Sequence, residues 1–278
     1  MGTLFLVATP IGNLEDVTLR ALRVLAEAPL IAAEDTRTIR KLLTRHGIGA
    51  PRLVSYTDRS PERRTEEVIE ALSDGDVALV SEAGMPGISD PGVHLVEAAV
   101  AAGHRVVPVP GPSALVAAVA ASGLPTRRFH YLGFLPRQAG ARRKLLREVS
   151  AEQDTLVAFE SPHRVQAALS DALAALGDRR IAVCRELTKV YEEVFRGMVS
   201  EAIRHFAEPR GEFTLVIEGA QETVREHMAG VDVDRRLQEL RDRGVAPRAA
   251  VREVMEASGL ARSAVYARWL ALSKRERA

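Results

Sequence analysis

The sequence predicts an α/β protein: two α/β domains followed by a small C-terminal all-helical segment. Three observations predict it. Short apolar runs alternate with amphipathic stretches over residues 4–109. Strand-type runs resume from residue 129, two of them joined by a short link. From residue 223 onward there is no strand signal.

The elements follow in order. LFLVA (4–8) is a strand-type run, and Asp16, Val17 and Thr18 cap an amphipathic stretch at 19–28. LIAAE (30–34) reads as a strand, and 36–46 as a helix closed by Gly47. RLVSY (52–56) is a strand, and 61–73 a helix with Pro61 in its first turn. DVALV (76–80) is a strand, 92–102 a helix closed by Gly103, and RVVPV (105–109) the next strand. Such alternation gives a mostly parallel sheet covered by helices, assigned to a domain at 1–113.

A helix ending near Ser122 opens a second domain, 114–222. FHYLGFL (129–135) and DTLVAFE (154–160) are strands flanking a basic helix at 141–149. RIAVCREL (180–187), VYEEVFRGMV (190–199) and EFTLVIEG (212–219) follow. The short link between the first two of these implies antiparallel pairing, hence a mixed sheet. The third domain, 223–278, holds helices at 233–243, 247–257 and 262–272.

Composition narrows the class of partner. In 278 residues, 38 Lys and Arg balance 37 Asp and Glu, so nucleic-acid binding must rest on local patches. A single cysteine, Cys184, excludes an internal disulfide and fits a reducing compartment. The opening MGTLFLVATPIGN lacks a basic lead and a small-residue cleavage site, so it reads as a strand and not a signal peptide. The most apolar stretch, 114–121, is too short to span a bilayer. A cytoplasmic protein with no membrane partner is expected.

Three loops rich in Gly and Pro follow three strands of the first domain: ATPIGN (8–13), SEAGMPGISDPG (81–92) and PGPSA (110–114). Ligands of open α/β sheets bind outside the carboxyl ends of strands, so three such loops at one edge point to a shared site. No G-x-G-x-x-G follows the first strand and no P-loop is present, which disfavours a phosphate cradle. The loops suit a ligand held by backbone groups and apolar side chains. No His/Cys/Asp cluster has metal-ligand spacing, so no metal is expected.

Together with EDTR (34–37), VPGPSAL (109–115), FLPR (134–137), FESPHR (159–164) and RELTK (185–189), these loops resemble the tetrapyrrole methylase superfamily. Within it they are similar to the class III methyltransferases that modify small-subunit ribosomal RNA. The resemblance covers roughly residues 3–220 in order, plus a C-terminal helical segment. It implies S-adenosyl-L-methionine as methyl donor, bound between two α/β domains. It implies the ribose 2′-hydroxyl of a cytidine in 16S rRNA, free or in the small ribosomal subunit, as acceptor, and a homodimer. By motif match, Pro10, Ala83, Gly84, Met85, Ile88, Ser113 and Ala114 touch the donor, and Phe159 and Glu160 close over it. Glu82 stands where the family usually has Asp, and Met85 where Thr is common.

A ribose hydroxyl is a weak acid and needs help losing its proton. Glu34, Asp35, Asp90, Glu160, Glu186 and Lys189 are candidates. Glu160 and Glu34 rank first, because each ends an apolar run at a strand's carboxyl edge, where burial raises a carboxylate's pKa. Plainer readings stand beside these. Glu160, Asp35 and Asp90 could cap the helices that follow them, and Glu186 could pair with Lys189.

Two segments are read as RNA-facing. RQAGARRKLLR (137–147) offers Arg137, Arg142, Arg143 and Arg147 to phosphates, the alternative being a solvated helix face. Val251, Val254, Met255, Gly259, Val265 and Leu270 have helix–turn–helix spacing, with Arg262, Tyr266 and Arg268 dressing the second helix. Two other functions share these features: methylation of a tetrapyrrole ring on the same scaffold, and a helix–turn–helix regulator with an α/β sensor.

Overall fold

The computed structural model describes residues 2–275 except 50, 58, 60, 61, 222–232, 259 and 261. Met1–Gly219 make one compact unit and Ala220–Ala278 another.

The first unit contains two five-stranded sheets. The first is built from β1 (Thr3–Val7), β2 (Leu30–Ala33), β3 (Arg52–Ser55), β4 (Val77–Val80) and β5 (Arg105–Val109), in the order β3-β2-β4-β1-β5. Every pairing in it is parallel, as the alternating sequence requires. The interior strands β2 and β4 are buried at all four positions, which is why they read as continuous apolar runs and not as alternating ones. Pro108, which cannot donate to a ladder, sits on the edge strand β5.

Helices cover both faces. On one face α1 (Leu19–Glu27) and α2 (Thr36–Arg45) bury Val24, Leu25, Ile39 and Leu42 against Ile31, Ala78 and Val80. On the other, α3 (Glu62–Asp74) and α4 (Val93–Ala101) bury Val68, Leu72, Leu95 and Ala99 against Leu4, Val77 and Leu79. Thr18 caps α1 by accepting the Ala21 N–H at 3.1 Å. Pro61, read as part of the α3 first turn, lies outside the described residues.

The chain then passes through α5 (Ala114–Ser122) into the second sheet. That sheet comprises β6 (Phe129–Phe134), β7 (Thr155–Glu160), β8 (Arg180–Arg185), β9 (Glu193–Met198) and β10 (Phe213–Ile217), ordered β6-β7-β10-β8-β9. It is mixed: β6 and β7 are parallel, the other three pairings antiparallel, including β8 with β9 across the short link. One face packs against α6 (Ala139–Glu148), α7 (Pro162–Leu176) and α8 (Val199–His205). The other carries Val157, Ala182, Cys184 and Val216 against Ala118 and Val119 of α5. Helix α8 is not in the sequence reading; only Val199 and Ala202 of its seven residues are buried, too few for a periodic signal.

The second unit is three helices, α9 (Val233–Asp242), α10 (Pro247–Ser258) and α11 (Arg262–Arg275). Their core gathers Leu237, Leu240, Val251, Val254, Val265 and Trp269. Gly259, expected at the turn, lies outside the described residues. Leu270 corrects the sequence reading: it is 45% exposed, and Trp269 fills the core position at 7%. The helical period from Val265 falls on Trp269 and Leu272, leaving Leu270 on the outer face. Arg262, Tyr266 and Arg268 are exposed as expected, Arg268 reaching Asp234 at 3.6 Å.

Candidate active site

Strands β4, β1 and β5 are neighbours, so the three Gly/Pro loops emerge side by side at one sheet edge. The loops after β1 and β4 are bonded to each other, and the loop after β1 is also tied to the end of β5. The Thr9 N–H donates to the Gly84 carbonyl at 2.8 Å and the Gly84 N–H to the Thr9 carbonyl at 3.0 Å. The Ala8 N–H donates to the Val109 carbonyl at 3.2 Å. Gly84 makes its pair of bonds at φ 79°, a conformation that a side chain would strain. Glu34, at the end of β2, accepts the Glu82 N–H through Oε2 at 3.1 Å, so a fourth strand end holds the same loop.

The second sheet meets these loops along two seams. At one, the Asn13 N–H donates to Thr188 Oγ1 at 3.0 Å. The chains are so close there that a Cβ on Gly12 would stand 2.7 Å from Thr188 Oγ1 and 3.0 Å from the Leu187 carbonyl oxygen. At the other, Ser89 Oγ and the Tyr131 hydroxyl share a hydrogen bond of 2.6 Å. Among the described residues, the non-glycines with positive φ are Ser89 (63°), Glu186 (50°) and Thr188 (66°), all at these two seams. Such conformations persist only where surrounding contacts over-determine them, and they concentrate at ligand sites.

Between the seams lies a cavity of about 720 Å3. Pro10, Ala83, Gly84, Met85, Ile88, Ser113, Ala114 and Phe159, the residues expected at the donor, all line it, as do Glu34 and Glu160. Ser113 also caps α5, accepting the Val116 N–H at 3.5 Å.

The acid–base candidates separate on their partners. Glu160 is 1% exposed. Its Oε1 accepts the Ser161 N–H at 2.7 Å and pairs with Arg164 Nη2 at 2.6 Å. Its Oε2 is buried with no hydrogen-bond partner among the described residues. Burial pushes the Glu160 pKa above the ordinary carboxylate value, against the opposing pull of the Ser161 N–H and Arg164. Asp35 is the cap of α2, accepting the Arg37 N–H at 2.7 Å, and the Arg37 guanidinium beside it holds its carboxyl down at about 2. Asp90 corrects another reading. The N-cap of α4 is Gly92, which makes no side-chain cap, and Asp90 lines the cavity.

Glu186 and Lys189 do pair, at 2.9 Å, and Lys189 Nζ also reaches Glu212 Oε2 at 2.9 Å. Burial alone would lower the Lys189 pKa, but the Glu212 and Glu186 carboxylates outweigh it and raise it, so Lys189 is a cation and not a base. Cys184 also lines the cavity; burial pushes its thiol up to about 11, which keeps it protonated and unreactive.

The basic helix divides. Arg137, Arg143 and Arg147 are exposed. Arg142 is not: at 4% exposure it cannot face RNA, and the reading of it as a phosphate contact is corrected. Its Nε donates to Asp171 Oδ2 at 2.8 Å, its Nη2 lies 2.6 Å from the same oxygen, and its Nη1 reaches the Pro136 carbonyl at 3.4 Å. Arg142 therefore ties α6 to α7.

Several lining residues escaped the sequence reading: Ile11, Thr38, Phe134, Leu187, Glu212 and Thr214. Phe134 and Leu187 lie inside the FLPR and RELTK motifs, but Glu212 and Thr214 reach the site only because β10 runs between β7 and β8, a pairing order no local pattern encodes. Among the described residues, no group of His, Cys, Asp and Glu could hold a metal ion, and no helix is long and apolar enough to cross a membrane.

Known proteins share this arrangement. The pattern of the tetrapyrrole (corrin/porphyrin) methylases matches residues 3–203. A "Ribosomal RNA small subunit methyltransferase I" of Halalkalibacterium halodurans is 52% identical over 226 residues, 80% of this chain and 78% of that protein. Its namesake in Synechocystis sp. is 44% identical over 270 residues, 96% of each chain. Two crystal structures share the fold. The methyltransferase CobJ has a TM-score of 0.59 at 22% identity, covering 79% of this chain and 95% of its own. Uroporphyrin-III C-methyl transferase from Thermus thermophilus, complexed with S-adenyl homocysteine, has a TM-score of 0.56 at 24% identity, covering 81% and 99%. With the matched pattern covering most of the chain and relatives this similar over most of their length, the chain belongs to the tetrapyrrole (corrin/porphyrin) methylase family.

Proposed function

We propose that this chain transfers a methyl group from S-adenosyl-L-methionine to the ribose 2′-oxygen of a cytidine in the RNA of the small ribosomal subunit. The observation that carries the reading is the cavity itself, lined by the three Gly/Pro loops and by the buried carboxylate of Glu160. Its volume lies in the range of small-molecule sites. Its wall of Pro10, Ala83, Met85, Ile88 and Phe159 suits an adenosyl group. The names of the relatives support RNA as acceptor.

When bound, the donor supplies an electrophilic methyl on a sulfonium. The protein's part is to align the acceptor with it, exclude water and take up a proton. Glu160 accepts the proton of the 2′-hydroxyl as the oxygen attacks. Its raised pKa brings its basicity closer to the operating pH than that of an exposed carboxylate. Glu34 acts at one remove, by fixing the Glu82 backbone and so the loop against the donor. Lys189, held between two carboxylates at the cavity wall, adds a fixed positive charge.

Arg137, Arg143 and Arg147 position the RNA through its phosphates, and the C-terminal helices contact RNA or the ribosomal subunit through Arg262, Tyr266 and Arg268. The protein works as a homodimer in the cytoplasm. Replacing both Arg143 and Arg147 with Ala is expected to weaken RNA binding and to flatten its dependence on salt by about 1.4 in log–log slope, for two phosphate contacts to a single strand. Binding isotherms at several salt concentrations check this, and an unchanged slope rejects the contact.

Methylation of a tetrapyrrole on the same scaffold is the competing reading. Labelled donor offered together with small-subunit RNA and a porphyrinoid separates the two. Label in RNA supports the proposal, and label confined to the porphyrinoid overturns it.

A further inference from the structure

Strand β6 carries an irregularity that changes which side chain faces the cavity. Tyr131 pairs with Val157 and Phe134 with Phe159, so β6 advances three residues where β7 advances two. The extra residue is a β-bulge, and Gly133 within it has φ 67°. In an unbroken register, position 133 would pair with Phe159 and Phe134 would fall on the opposite face, the one packed by α6 and α7. The bulge therefore takes a large apolar side chain away from a core that could bury it and delivers it to the cavity wall. There Phe134 is left 53% exposed. It is held edge-on by Phe159, with ring centroids 5.5 Å apart at 63°. Tyr131 braces the far side of Phe159 at 5.3 Å, and its hydroxyl is fixed by Ser89.

A rigidly braced, half-exposed ring is a surface for stacking. Three residues later the chain presents the exposed Arg137, followed by Arg143 and Arg147 on α6. An aromatic face followed by cations is the combination that holds a splayed-out nucleotide, the ring taking the base and the cations the phosphates.

We propose that Phe134 is the stacking platform for the nucleobase of the RNA acceptor. This rests on the reading of the protein as an RNA methyltransferase. The β6 bulge exists to present the ring, and a base parked on Phe134 places its ribose near the adjacent strand end, where Glu160 stands one residue past Phe159.

The test compares wild type with Phe134→Ala, Phe134→Leu and Phe134→Trp, measuring the KM for small-subunit RNA and, by calorimetry, the Kd for S-adenosyl-L-methionine. Ala and Leu are expected to raise the RNA KM roughly ten-fold or more while leaving donor binding unchanged, and Trp to preserve the wild-type KM. An RNA KM unchanged in Phe134→Ala overturns the inference. So does a donor Kd that weakens in step with the KM, which would make Phe134 a wall of the donor pocket. So does full activity of Phe134→Leu, which would show that bulk suffices without a ring. A wild-type protein that methylates no RNA would instead overturn the reading on which the inference rests.

Discussion

Glu160→Gln is expected to slow methyl transfer by roughly 10²–10⁴-fold, the usual contribution of a positioned general base, while donor affinity stays nearly unchanged. The amide keeps the size of the side chain and an oxygen for Arg164 and the Ser161 N–H, but it cannot take a proton. The pH profile carries the sharper signature. Because burial raises the Glu160 pKa, the wild-type rate should begin to fall on the acid side at a pH above the ordinary carboxylate value of 4.5. That limb should vanish from the residual activity of Glu160→Gln. Stability should respond in the opposite sense. A raised carboxylate pKa favours the folded state below the unfolded pKa, and this advantage is lost as pH rises through the folded pKa. Wild type should therefore lose stability relative to Glu160→Gln over that interval. A variant with full activity and an unmoved acid limb would remove Glu160 from the reaction.

Arg142→Ala is expected to destabilise the first unit by about 3–5 kcal/mol, because it leaves Asp171 without its principal buried partner. The apparent melting temperature should drop on the order of 10 °C. Arg143, 3.4 Å from the other Asp171 oxygen, compensates only in part, since it is itself half exposed. The double change Arg142→Met with Asp171→Leu should recover much of the loss, because an apolar pair removes both charges from the interior. If Arg142 were instead a phosphate contact, Arg142→Ala would melt like wild type and bind RNA more weakly.

That residue also shows how far the sequence could be read. Arg142, Leu146 and Val149 fall at i, i+4 and i+7, the spacing of a buried helical stripe, so the periodicity places Arg142 inward. Its chemistry suggested the surface, and periodicity proved the better guide. The same holds in α11, where the period selects Trp269 over Leu270. The strands of the first sheet were legible because a sheet covered on both faces needs continuous apolar runs. The donor loops were legible because Gly and Pro cluster where backbone must turn and approach a ligand. A lone Gly inside an otherwise apolar strand is a bulge signal, and Gly133 carried it. The positive φ angles of Glu186 and Thr188 had no such mark, because long-range packing at the Gly12 seam imposes them and the local sequence does not. Nor could spacing reveal that Glu34 grips the Glu82 backbone 48 residues away.

The most direct test of the account is the chemical position of the methyl group. Small-subunit RNA is incubated with the protein and isotope-labelled S-adenosyl-L-methionine, digested to nucleosides and resolved by mass spectrometry. The account predicts label in cytidine, on the ribose and not the base, accumulating far more slowly with Glu160→Gln. Label on a base carbon or nitrogen, or none in RNA, would contradict it.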